Sequence, residues 1–157
     1  MGNDSRFFRK LVWQASHRNG TDFVIEATLE ALIRKSDVIS FHIPQNDETI
    51  HFADHEFFDG LGKSIFLLNC SRGKIVDTSA LIAAIESGKV LGAGLDVNEF
   101  EKASFESFFS DSMPDQLTYL LNSDKVILTP HVGGWTNESY FKLSDVLATK
   151  ILKSLSE

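Results

Sequence analysis

Side-chain chemistry concentrates in the string Asn69-Cys70-Ser71-Arg72-Gly73-Lys74-Ile75-Val76-Asp77. Arg72 carries a permanent guanidinium fork whose paired N–H donors match a carboxylate. Gly73 beside it permits a sharp turn or a close backbone approach. The apolar run at 64–68 reads as a buried strand, and 80–86 reads as a helix. Arg72 is therefore expected in the loop at the carboxyl end of a strand, where ligands bind in open α/β sheets. A surface arginine next to a turn glycine would give the same letters, so this string alone leaves both readings open.

A second candidate is His131, which follows Pro130 and precedes Val132-Gly133-Gly134. Its loop also follows an expected strand, at 126–128, and an imidazole titrates near working pH. Other strings carry less. Gly60-Leu61-Gly62-Lys63-Ser64 is similar to a phosphate loop, but position 57 is Phe57 where the first glycine would stand. That string also leads into a strand, whereas a phosphate loop leads into a helix. His17, His42, His51 and His55 form no metal-ligand spacing and read as structural or exposed, so no metal is expected.

The elements that must position these residues alternate. Short strands are expected at 11–13, 23–25, 38–41, 64–69, 91–97 and 126–128. Asn19-Gly20 marks a turn after the first of them. Thr28 reads as the N-cap of a helix at 29–34, with Leu29, Leu32 and Ile33 on one face. Pro44 ends the third strand. A short helix is expected at 55–59, broken by Gly60 and Gly62. Asp77 or Thr78 caps the next helix, and Gly88 stands where a C-terminal glycine belongs. Gly92 and Gly94 suggest close packing of a helix or ligand against their strand. Residues 98–123, with Pro114, read as a long excursion containing one or two short helices. A long helix starts at Thr136 or Asn137, and its stripe Leu143, Val146, Leu147, Ile151 and Leu155 reads as a packing face. Such alternation predicts a parallel sheet covered on both sides, with right-handed crossovers.

Composition bounds the partners. The chain has 157 residues, 43% hydrophobic and 24% charged, which suits one globular domain. A net charge of −7 argues against a nucleic-acid surface. The single cysteine, Cys70, forms no internal disulfide and fits a reducing compartment. There is no membrane-length apolar run and no signal-peptide core, so the cytoplasm is the expected location.

The nonapeptide continues as Ala80-Leu81, Ala84, Gly88, Gly92-Ala93-Gly94-Leu95-Asp96-Val97, Glu101 and Pro130-His131-Val132-Gly133-Gly134. Over roughly residues 11 to 155 this series resembles the D-isomer-specific 2-hydroxyacid dehydrogenases. The resemblance implies a Rossmann-like, doubly wound α/β sheet and hydride transfer between a nicotinamide cofactor and a small D-2-hydroxy or 2-keto acid. It assigns catalytic roles to Arg72, Glu101 and His131. Arg72 would hold the substrate carboxylate, His131 would donate the proton, and Glu101 would favour the imidazolium and orient its ring. Glu101 lies five residues after Asp96, the family spacing, although Lys102 stands where the family often has proline. Cofactor contacts would fall on Pro44, Thr49, Cys70, Ser71, Arg72, Asp96, His131, Gly133 and Gly134. Asp96 would accept from the nicotinamide amide; a buried capping aspartate is the alternative.

A Gly-x-Gly-x-x-Gly turn is absent from the sequence. The resemblance matches residues 11–13 to the second strand of the cofactor domain. Residues 1–157 are therefore expected to be a partial dinucleotide-binding domain lacking its first strand, glycine turn, first helix and substrate domain. A fragment of a longer enzyme and a gene remnant both fit, and weak or absent cofactor binding by the isolated chain is expected. The stretch after the expected first strand, Ala15-Ser16-His17-Arg18, has no acid and one base, a lean from NAD towards NADP. The resemblance also implies a homodimer. A non-catalytic nucleotide-sensing module of corepressor type and an inactive remnant are the competing readings.

Overall fold

The computed structural model describes residues 13–18, 21–100 and 113–155. Strands β1 (Trp13–Arg18) and β2 (Thr21–Glu26) pair antiparallel as a two-stranded sheet, with Arg18 opposite Thr21. This corrects two expectations. Residues 15–18 continue a strand where a turn was expected, and neither strand joins the parallel sheet. Leu11, Val12 and the Asn19-Gly20 turn lie outside the described residues.

Helix α1 (Leu29–Lys35) begins at Thr28, whose Oγ1 accepts from the Ala31 N–H at 3.2 Å. The main sheet is parallel, in the order β3 (Val38–Phe41), β4 (Ile65–Asn69), β5 (Val90–Leu95), β6 (Val126–Leu128). Between these strands run α2 (His55–Asp59), α3 (Thr78–Glu86) and α4 (Asp115–Asn122). Asp54 caps α2 through the Phe57 N–H, and Asp77 caps α3 through the Ala80 N–H. Gly88, just past α3, takes φ +77°, a conformation in which glycine carries no Cβ penalty.

Strands laid down in one direction with right-handed crossovers place their helices on one face. The burial pattern agrees. Ile39, Phe41, Ile65, Leu67, Val90, Ala93 and Leu95 pack with Phe57, Phe58, Ala80, Leu81, Ala84, Ile85 and Leu120 in one core. The alternate residues face outward: Leu67 is 0% exposed whereas its neighbour Phe66 is 50% exposed. Val38, Leu68 and Ile127 share the outward-facing side of their strands with Phe66. The expected two-sided covering is thus one-sided among the described residues.

Gly92 and Gly94 accommodate the adjacent strand rather than a helix or ligand. A Cβ on Gly94 would lie 2.8 Å from Leu68 Cδ2, and one on Gly92 would lie 3.3 Å from the Phe66 ring. Helix α5 (Asn137–Leu155) starts where expected, with Thr136 Oγ1 accepting from the Ser139 N–H at 3.0 Å. Its apolar stripe does not pack: Leu143, Val146, Leu147 and Ile151 are all exposed. No helix among the described residues is long and apolar enough to cross a membrane.

Candidate active site

The parallel sheet puts Pro44 beyond β3, Arg72 beyond β4, Asp96 beyond β5 and His131 beyond β6, all at one edge. Backbone hydrogen bonds tie these exits together. Asp96 N donates to Asn69 O at 3.0 Å, Thr129 N to Leu95 O at 3.0 Å, and His131 N to Asp96 O at 2.9 Å.

The Arg72 loop is folded by Asn69, a buried side chain at the end of β4. Asn69 Oδ1 accepts from Ser71 N at 3.1 Å, and its Nδ2 donates to Arg72 O at 3.0 Å. Arg72 is extended and exposed, and its guanidinium donates to Ser71 O at 2.7 Å, which leaves further N–H donors on the fork. A 3-10 turn, Gly73–Ile75, follows. Gly73 is required there, because a Cβ would lie 1.8 Å from the Asn98 carbonyl oxygen.

The His131 loop is folded by Asp96. Its buried carboxylate accepts from Thr129 Oγ1 at 2.5 Å, Val132 N at 2.8 Å and Gly133 N at 2.9 Å. Burial by itself would raise this carboxyl's pKa. The bonds from Thr129, Gly133 and Val132, with the nearby His131, outweigh burial and hold the pKa below the ordinary carboxylate value. Gly133 must lack a side chain, since a Cβ would approach Asp96 Oδ2 to 2.9 Å. His131 is exposed and has φ 55°, a left-handed conformation that a non-glycine residue adopts only when its surroundings impose it.

An open cleft of about 690 Å³ is lined by His42, Ile43, Pro44, Gln45, Cys70, Ser71 and Arg72. It gathers four of the expected residues: Pro44, Cys70, Ser71 and Arg72. Thr49 is buried beneath, where its hydroxyl donates to Pro44 O at 2.7 Å and accepts from Asn46 N at 2.9 Å. Asp96, His131, Gly133 and Gly134 do not line the cleft. Glu101 lies outside the described residues. Among the described residues, Ser71 Oγ is the buried side-chain polar atom without a hydrogen-bond partner.

Sequence reasoning missed His42, Ile43 and Gln45. Their signal was present, because they flank Pro44 at the end of a strand, the same rule that located Arg72. His42 is exposed, as expected, and it also lines the cleft, with Nε2 2.7 Å from Ser40 Oγ. No group of three His, Cys, Asp or Glu among the described residues has metal-binding geometry.

The family model for the D-isomer specific 2-hydroxyacid dehydrogenase NAD-binding domain matches residues 9–133. D-3-phosphoglycerate dehydrogenase 1 of Saccharomyces cerevisiae is 34% identical over 132 residues, 83% of this chain and 28% of that protein. D-lactate dehydrogenase of Staphylococcus aureus is 33% identical over 114 residues, 71% of this chain and 34% of that protein. The crystal structure of D-lactate dehydrogenase from Aquifex aeolicus, complexed with NAD and lactic acid, superimposes with a TM-score of 0.68 at 33% identity. It covers 84% of this chain and 40% of that one. The chain thus spans about a third of the length of the relatives it matches. These matches support NAD and give no support to the lean towards NADP, whose basis, a turn at 15–18, is a strand. The chain belongs to the D-isomer specific 2-hydroxyacid dehydrogenase family, over part of its NAD-binding domain.

Proposed function

We propose that this chain supplies the substrate-facing edge of an NAD-dependent oxidoreductase that interconverts a small 2-keto acid and its D-2-hydroxy acid. The observation that carries this reading is the single sheet edge on which Arg72 and His131 both stand, each in a loop fixed by a side chain from a strand end. Bound NAD supplies or accepts the hydride. Arg72 grips the substrate carboxylate through its remaining guanidinium donors and orients the carbonyl. His131 gives a proton to the carbonyl oxygen during reduction and takes it back during oxidation. The family resemblance gives Glu101, which lies outside the described residues, the part of orienting that imidazole.

The residues present fit a dinucleotide. Ser71 lines the cleft, and its buried hydroxyl has no hydrogen-bond partner among the described residues. Pro44, Cys70 and Ser71 would line its path, with Thr49 holding Pro44 in place. Gly134, with nothing within 4 Å of a built Cβ, leaves room beside His131. Asp96 already accepts three hydrogen bonds, and of its roughly four acceptor positions one remains for the nicotinamide amide. The substrate, the dimer and the cytoplasmic location belong to this proposal too.

Loss of NADH absorbance with glyoxylate, hydroxypyruvate or 3-phosphohydroxypyruvate, using the complete gene product, tests it. Turnover that falls on Arg72→Ala and on His131→Gln supports the reading. Cofactor binding without turnover of any 2-keto acid would favour a nucleotide-sensing module, and no binding or turnover would mark a remnant.

A further inference from the structure

Among the described residues, His51 shares with His131 a positive φ, here 52°. It sits in the segment that leads from the cleft to α2, and its polar partners, Lys74, Asp77 and Glu99, are far away in sequence. Its Nε2 lies 2.6 Å from Glu99 Oε1, and its Nδ1 lies 3.9 Å from Asp77 Oδ2. A carboxylate only accepts, so Nε2 carries the proton and donates. The other oxygen of Glu99 accepts from Thr78 N at 3.1 Å, at the start of α3. Both Glu99 oxygens are thereby engaged.

The geometry of this pair encloses the turn that follows Arg72. On one side, His51 N donates to Lys74 O at 2.7 Å and Ala53 N to Ile75 O at 3.0 Å. On the other side, the Asn98 carbonyl stands against Gly73. The turn itself closes with Ile75 N to Arg72 O at 3.2 Å and Val76 N to Gly73 O at 3.3 Å. The His51–Glu99 bond joins the two flanking segments across the turn.

We infer that His51 and Glu99 are positioning residues: their hydrogen bond clamps the 3-10 turn Gly73–Ile75 and so sets where Arg72 presents its guanidinium. The inference rests on the reading of Arg72 as the carboxylate anchor. The left-handed backbone at His51 is then the strained conformation that aims its ring at Glu99.

Two measurements test the clamp separately from that reading. The first is amide hydrogen exchange on the 157-residue chain. Glu99→Ala and His51→Gly should each speed exchange at Ile75 and Val76 roughly ten-fold, the loss of one charge-assisted bond. His51→Gly keeps the positive φ while removing both the ring and its strain, so a lost clamp shows as faster exchange in spite of that relief. The double variant should be no faster than Glu99→Ala alone, because that variant already lacks the His51–Glu99 bond. Glu99→Gln retains one acceptor and should fall between.

The second is steady-state kinetics of the complete gene product. Both single variants should raise KM for the 2-keto acid more than they lower kcat, an effect that a purely structural role would not produce. Unchanged exchange at Ile75 and Val76, or additive effects in the double variant, overturns the clamp. A KM that stays constant while kcat falls also overturns it. An unmodified protein without turnover would strike only the Arg72 reading, since the exchange result stands by itself.

Discussion

The loops after β4 and β6 solve the same problem by different means. Each holds one side chain, Arg72 or His131, at the sheet edge. The Arg72 loop is held by a neutral amide and by close packing: the Asn69 side chain bonds Ser71 N and Arg72 O, and Gly73 sits hard against the Asn98 carbonyl. The His131 loop is held by one carboxylate, Asp96, which gathers three donors around a left-handed residue. The first loop should therefore be sensitive to volume and the second to charge.

Gly73→Ala should cost the most. Its methyl would overlap a backbone oxygen that cannot rotate away, so about 2–3 kcal/mol of stability should be lost in urea unfolding. Asp96→Ala comes next, because it strands the Val132 and Gly133 N–H groups and the Thr129 hydroxyl, for about 2 kcal/mol. Gly133→Ala should cost less, about 1 kcal/mol, since the contact is with a carboxylate able to shift. Thr28→Ala, remote from both loops, serves as the control: roughly 0.5–1 kcal/mol for a lost cap, with activity unchanged.

The comparison also separates by pH. Asp96 titrates lower in the folded chain than in the unfolded one. Its contribution to stability is thus complete above the ordinary carboxylate pKa of about 3.9 and disappears as pH falls through the lower folded value. Asp96→Asn should remove that acid limb from the stability profile, whereas Gly73→Ala should lower the profile uniformly.

What the residues revealed beforehand follows from how local each signal is. Caps at Thr28 and Asp77, the short helix at 55–59 and the strand at 126–128 depend on neighbours in sequence, and they were legible. The strand at 38–41 was placed correctly. Its alternating exposure depends on one face of the sheet being uncovered, which no residue in it encodes. The stripe on α5 misled for the same reason: amphipathicity signals a face that can pack, not that a partner is present. Residues 15–18 misled because polar letters in a hairpin look like a turn. At the site, Arg72 and His131 were legible from strand-end position. The three donors on Asp96, the cleft wall at His42, Ile43 and Gln45, and the His51–Glu99 pair arise from long-range contacts. Glu101 lies outside the described residues.

The central claim is that Arg72 reads the substrate's negative carboxylate. The most direct measurement compares kcat/KM for a 2-keto acid with that for its neutral 2-keto amide, in the complete gene product and in its Arg72→Ala variant. The account predicts a preference for the acid of about a hundred-fold, from a bidentate charge-assisted pair, that collapses in the variant. An equal preference in both proteins would contradict it.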